Sequence, residues 1–117
     1  MAGLSIFNIR RKATKEERFR ELFLSMHPKL IRYATTLMGD ADEAKDIVSE
    51  VFGRAWENFS SLGDDVSAWL YTAIRNACLN RLKHLQVEQE HIEAIVLATQ
   101  ADVDNGYWEH EVLLQKA

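Results

Sequence analysis

The sequence predicts an all-α fold, a compact bundle of three to four helices with a partly helical C-terminal tail. Three observations carry this. The 117 residues include one proline and five glycines, too few chain-breakers for many turns. Apolar side chains return every three or four positions over long stretches. Two helix starts carry a capping pair, Thr14 with Glu17 and Asp40 with Glu43. A chain of this length makes one domain. Its helical body is expected over 14–86, with an N-terminal arm over 1–13 and a linker with a further segment over 87–117.

The elements follow in order. Thr14 opens the first helix, in which Phe19, Leu22, Phe23, Met26, Leu30, Tyr33 and Leu37 recur at helical spacing. Pro28 lies inside this pattern, lacks an N–H and crowds the carbonyl four residues earlier. A kink, or two abutting helices, is therefore expected near His27. Gly39 stops the helix and Asp40 starts the next, from about Ala41 to Asn58. One stripe of it holds Ala44, Ile47, Val48, Val51, Phe52, Ala55 and Phe59; the opposite side shows Asp42, Glu43, Asp46, Ser49, Glu50, Arg54 and Glu57.

"SSLGDDV", Ser60 to Val66, reads as a loop, after which Ser67 or Asp65 caps a third helix. That helix contains "SAWLYTAIRNACLNRLKHL". Leu70, Ile74, Ala77, Cys78 and Leu85 cluster on one side of it; Thr72, Asn76, Asn80 and Lys83 lie nearly opposite, with Trp69 at their margin. Arg81 falls within the apolar side, where a cation needs a carboxylate. Asp46 is the expected partner and Glu50 the alternative; otherwise the Arg81 head reaches water past Leu85. "VEQEHIEAIVLATQ" continues as helix with Val87, Ile92, Ile95 and Val96 inward, "ADVDNGY" interrupts it, and "WEHEVLLQKA" begins a new amphipathic helix.

Charge is unevenly distributed. The chain has a formal charge of −4, yet residues 68–85 contain three basic and no acidic side chains. Residues 40–57 are net −4 and residues 86–117 net −6. Such blocks fit distinct faces for distinct partners. If the tail folds back, its acids face the basic helix and imitate a nucleic-acid strand. The N-terminal "MAGLSIFNIRRKA" has the reverse order of a secretory signal, and no window approaches a membrane span. A cytoplasmic protein without membrane insertion is expected, consistent with a lone cysteine, Cys78.

No enzyme is expected. The sequence has no glycine-rich phosphate loop and no nucleophile elbow. Cys78 sits on an apolar helix face, as a packing residue does. Glu88 with His91 makes one Glu-x-x-His, whereas a di-iron bundle needs two. Asp64 and Asp65 are adjacent and poorly placed as an acid–base pair. Neither a metal nor another cofactor is expected. Binding of a single nucleic-acid strand fits better. Thr72, Asn76 and Asn80 offer hydrogen bonds to base edges, Lys83 and Arg75 seek phosphates, and Trp69 offers a stacking surface. The plainer reading makes Trp69 and Tyr71 core aromatics.

The run from Phe19 to Leu85 resembles region 2 of the extracytoplasmic-function (ECF) sigma factors of bacterial RNA polymerase. The resemblance rests on "HPKLIRYA", "GDADEAKDIVSEVFGRAW", the short loop and "AWLYTAIRNACLNRLK", in that order. It implies a transcription initiation factor that binds core RNA polymerase and reads and melts the −10 promoter element on the non-template strand. The helix matching Asp42 to Trp56 then docks on the β′ clamp, through Asp42, Asp46, Ser49, Glu50 and Arg54. Ser60, Ser61, Leu62 and Gly63 form the pocket for a flipped base. Asn76 matches the family's base-contacting asparagine, and Trp69, Thr72, Arg75, Asn80 and Lys83 complete the DNA surface. Arg81 matches a structural arginine. The loop departs from the family: "SLGDDV" is acidic where many relatives carry an aromatic or Arg before Gly. The tail resembles the linker and "WEHEVLLQKA" the opening of region 4, so no −35 recognition is expected of this chain. An anti-sigma factor is an implied partner. The alternative is a regulatory domain of the same fold that binds an anti-sigma factor or adaptor without reading a promoter.

Overall fold

Thr14 starts the first helix as its spacing predicts: its hydroxyl accepts from the Glu17 N–H at 3.1 Å. The computed structural model describes residues 13–104, in which helices α1 (Lys15–Met38), α2 (Ala41–Leu62), α3 (Val66–His84), α4 (Gln89–Ala98) and α5 (Gln100–Asp104) follow one another. No strand occurs among the described residues. Most of the expected N-terminal arm and the expected opening of region 4 lie outside them. No described helix is long and apolar enough to cross a membrane.

Pro28 does not divide α1, which runs unbroken through it. Pro28 lies on the exposed side, and the carbonyl that forgoes a bond is that of Leu24, a residue 63% exposed, where water can serve it. Gly39 ends α1 at φ +69°, with its N–H donating to the Thr35 carbonyl at 2.8 Å. This left-handed conformation suits glycine. Asp40 follows at once: its Oδ1 accepts from the N–H groups of Asp42 and Glu43 at 2.9 and 3.1 Å. Two residues therefore join α1 to α2, and the helices pair as a hairpin. The predicted stripe of α2 is inward, with Ala44, Ile47, Val48, Val51, Phe52 and Ala55 buried. Phe19 packs edge-on against Phe52, Trp56 and Phe59 to close one end.

The expected loop over 60–66 is shorter than its composition implies. α2 continues to Leu62, one 3-10 turn spans Gly63–Asp65, and α3 begins at Val66. Gly63 makes this possible at φ +66° and ψ −147°, a conformation left almost entirely to glycine. Neither expected cap forms: Asp65 makes no side-chain capping bond, and the Ser67 hydroxyl contacts Met26 Sδ at 3.7 Å. A helix entered through a 3-10 turn finds carbonyls for its first N–H groups there, so no side chain is required.

α3 is buried on more than the one side expected. Leu70, Ile74 and Cys78 face α1 and α2, but Tyr71, Arg75, Leu79 and Leu82 are buried too. Leu85, expected inward, is 49% exposed at the end of the helix. Gln86 takes φ +61° there, and the N–H groups of Gln86 and Val87 donate to the carbonyls of Lys83 and Leu82, both at 3.0 Å. That is the paired bonding of a Schellman cap, with Val87 and Leu82 as its apolar contact. The cap turns the chain back. α4 then lays Ile92 and Ile95 into the same core as α1–α3, and α5 brings Asp102 to Tyr33, whose hydroxyl donates to Asp102 Oδ2 at 2.6 Å.

Cys78 is fully buried in this core, and burial pushes its thiol up from 9.0 to about 12. The unfolded thiol deprotonates near pH 9 while the folded one holds its proton to about pH 12. The folded state therefore binds more protons, and stability falls as pH rises through that window. The contribution reaches at most about 1.4 kcal/mol per pH unit. Tyr33, also raised by burial and by Asp102, adds a parallel loss above its ordinary value of 10.0. Urea unfolding at successive pH values is expected to show a shallower loss for Cys78→Ala than for the native chain; identical slopes would contradict the assignment.

Candidate nucleic-acid interface

The hairpin of α2 and α3 carries a groove of about 660 Å³ on its outer side. Ala73 and Ala77, one helical turn apart on α3, form part of its lining beside Ile47 of α2. Small side chains at that spacing leave room where two helices meet. Trp69, Thr72, Asn76 and Asn80 of α3 form one wall; Glu50 and Arg54 of α2 form the other. Arg81 and His84 line the same groove. His84 is an addition that sequence reasoning missed. It lies on the groove side of α3, which is visible only once the position of α2 is known.

Four residues predicted as a stripe are brought together as an open surface. Asn76, Asn80 and Lys83 are exposed and Thr72 is half-buried, with no covering helix among the described residues. Trp69 is half-buried against the core at the groove's edge. The Asn76 side-chain oxygen accepts from Arg75 Nη1 at 3.3 Å, which leaves its two N–H donors for another acceptor.

Arg75 itself departs from expectation. It is 8% exposed, under α4 and α5 rather than on the open stripe. Its Nε donates to the Thr99 hydroxyl at 2.8 Å and its Nη2 to the Val96 carbonyl at 3.5 Å. Arg75 stands roughly 60° around α3 from Thr72, on the side that the tail covers. The loop residues are divided as well. Ser60 and Ser61 are exposed in the last turn of α2, Leu62 packs half-buried on the core, and Gly63 begins the 3-10 turn.

Arg81 meets a carboxylate, but not Asp46. It pairs with Glu43 through a charged hydrogen bond and with Glu50 at 3.5 Å. The Glu43 hydrogen bond raises the already high Arg81 value, and Asp46 acts only as a more distant charge. Glu43 and Glu50 are seven residues apart and so share one stripe of α2. Asp46 falls roughly 60° away from Glu43 and has a shorter side chain. Glu43 therefore serves Arg81, while Asp40 alone caps α2. Asp42, Asp46 and Ser49 remain exposed within roughly 60° of one another on the outer face of α2. Arg54 turns away from them into the groove. Among the described residues no three His, Cys, Asp or Glu side chains gather closely enough to hold a metal ion.

Against known proteins, the Sigma-70 region 2 family model matches residues 22–87, just over half of the chain. The chain is 43% identical over 54 residues to the ECF RNA polymerase sigma factor SigL of Mycobacterium tuberculosis, covering 44% of this chain and 30% of that protein. It is 41% identical over 59 residues to the ECF RNA polymerase sigma factor EcfG of Rhodopseudomonas palustris, covering 49% and 33%. The chain thus spans about a third of the length of these curated relatives. No solved structure matches it.

The pairing of Arg81 is open to a double-mutant cycle. Glu43→Gln combined with Arg81→Leu is expected to give a coupling of about 0.5–1 kcal/mol in urea unfolding, the scale of a half-exposed pair. Asp46→Asn with Arg81→Leu is expected to give a coupling near zero. Equal couplings would reject the assignment of Glu43.

Proposed function

Because the chain belongs to the Sigma-70 region 2 family, we propose that it is the part of a transcription initiation factor that joins core RNA polymerase to the −10 promoter element. One observation carries the reading: two neighbouring helices offer chemically opposite surfaces. The outer face of α2 is acidic, while α3 has an open stripe of amides, a hydroxyl and a lysine, with no carboxylate. The first suits a basic protein partner and the second a nucleic-acid strand.

In this reading Asp42, Asp46 and Ser49, with Glu50 at their margin, meet basic side chains of the β′ clamp. Charges at such an interface steer association and fix its register. The unpaired non-template strand lies along α3. Asn76 and Asn80 reach base edges, Thr72 supports them, and Lys83 takes a phosphate. Arg54, lining the groove from α2, is a second cation beside the strand's path. Trp69 borders the strand while packing inward. Ser60, Ser61, Leu62 and Gly63, at the turn leading into α3, remain the candidates for holding a flipped base. Flipping costs a few kcal/mol of stacking, which contacts in a fitted pocket offset. Sigma factors are initiation factors and not enzymes, and this reading asks for no catalytic group. It places the protein in the cytoplasm at the nucleoid, under control of an anti-sigma factor.

Two outcomes are expected. Asp42→Arg with Asp46→Arg is expected to abolish retention of the chain by an immobilised β′ clamp fragment; undiminished retention would remove the docking assignment. In the full-length factor, Asn76→Ala is expected to flatten preference at one −10 position by about 1–3 kcal/mol, roughly fivefold or more, without loss of core binding. Transcription from a randomised −10 library reads this directly. An unchanged preference profile would reject the role of Asn76.

A further inference from the structure

The helices beyond the family match cover a residue of the strand-reading helix. The match ends at Val87, yet α4 and α5 both pack on α3. Beneath them is Arg75, whose guanidinium donates to the Thr99 hydroxyl at 2.8 Å, the Asn76 side-chain oxygen at 3.3 Å and the Val96 carbonyl at 3.5 Å. All three acceptors are neutral. Among the described residues no carboxylate forms an ion pair with it; the buried carboxylate of the same tail, Asp102, accepts from Tyr33, whose hydroxyl feels the charges of both Asp102 and Arg75. Neutral acceptors compensate a buried cation only weakly for its lost water. A phosphate would do so through charged, bidentate hydrogen bonds.

The tail also has the sign of a phosphate strand. From Glu88 to Asp104 it contains five acids and no Lys or Arg. It leaves Asn76, Asn80 and Lys83 open but closes the side on which Arg75 stands.

We propose that α4–α5 is an intramolecular cover for a phosphate-binding residue. Docked, it holds Arg75 away from the strand. Undocked, it frees Arg75 to take a phosphate beside Asn76, so that tail docking and strand binding through Arg75 exclude each other. This rests on the reading of α3 as the strand-reading helix.

The test uses the whole chain and a fluorescein-labelled, mixed-sequence DNA single strand of about 12 nucleotides. Ile92→Gln with Ile95→Gln removes the tail's apolar anchors without changing charge. Thr99→Val removes the main acceptor of Arg75, together with the local bond of that hydroxyl to the Ile95 carbonyl, and leaves the apolar anchors in place. Each is compared with the native chain, with and without Arg75→Gln, over a salt series. Undocking is expected to tighten binding and to steepen the slope of log K against log salt by about 0.7, the increment for one further phosphate on a single strand. Arg75→Gln is expected to cancel the steepening and to change little while the tail is docked. Hydrogen exchange at 89–102 is expected to speed up when the strand binds. If the anchor variant does not fold, Thr99→Val and hydrogen exchange decide alone. Equal slopes, a steepening that survives Arg75→Gln, or tail protection retained at saturation would each overturn the cover. Asn76→Ala separates the two ideas. A strand that binds with no dependence on Asn76, or fails to bind any variant, removes the reading of α3 and the cover with it. Dependence on Asn76 without the Arg75 effect removes the cover alone.

Discussion

Arg81 fixes the register of α2 and α3 along a seam that their buried apolar side chains bring together. It stands on the flank of α3 that meets α2, half-removed from water, and such a cation requires carboxylates on the facing stripe. Glu43 and Glu50 supply them two turns apart, so a single guanidinium grips α2 at two levels and resists sliding along it. The alanines at 73 and 77 hold the same seam without filling its outer side. The groove is the space that remains. The same arrangement decides which acids of α2 are free: those on the Arg81 stripe face the seam, while Asp42 and Asp46, a fraction of a turn away, look outward.

Around α3 the circumference is almost fully divided. One arc belongs to the apolar core with α1 and α2, where Tyr71 meets the Tyr33 ring, and a second holds Arg75 under the tail. Only the arc from Thr72 to Lys83 stays open. A carboxylate on that arc would pair with Lys83 or with Arg54 across the groove and close the surface to an acidic partner. The absence of acids from Ser67 to Leu85 is therefore a property of the whole helix that serves its narrow exposed strip.

What was legible in the sequence was local. Thr14, Gly39 and Asp40 mark their helix ends through bonds reaching only a few residues, and the α2 stripe follows from one helical period. Three features were not legible, because each depends on where a distant segment lands. Arg75 reads as a flank of the open stripe until Thr99, 24 residues on, claims it. Arg81 calls for a carboxylate, but its choice between Glu43 and Asp46 depends on the rotation of α2 about its own axis. The segment over 60–66 has the composition of a loop, yet the glycine conformation at 63 compresses it to one turn.

The Schellman cap at Gln86 has a consequence of tethering. Only Leu85 to Glu88 separate α3 from α4, and two backbone hydrogen bonds fix the direction of departure. A segment on so short a leash is presented to its docking site at a high effective concentration, on the order of millimolar for short flexible links. A contact with a dissociation constant below that concentration is then occupied most of the time. An outside strand must compete with that local supply and not with a free peptide at cellular dilution. Lengthening the link by a few residues, or replacing Gln86 with a residue less tolerant of positive φ, would therefore alter the competition without touching any residue of the contact itself.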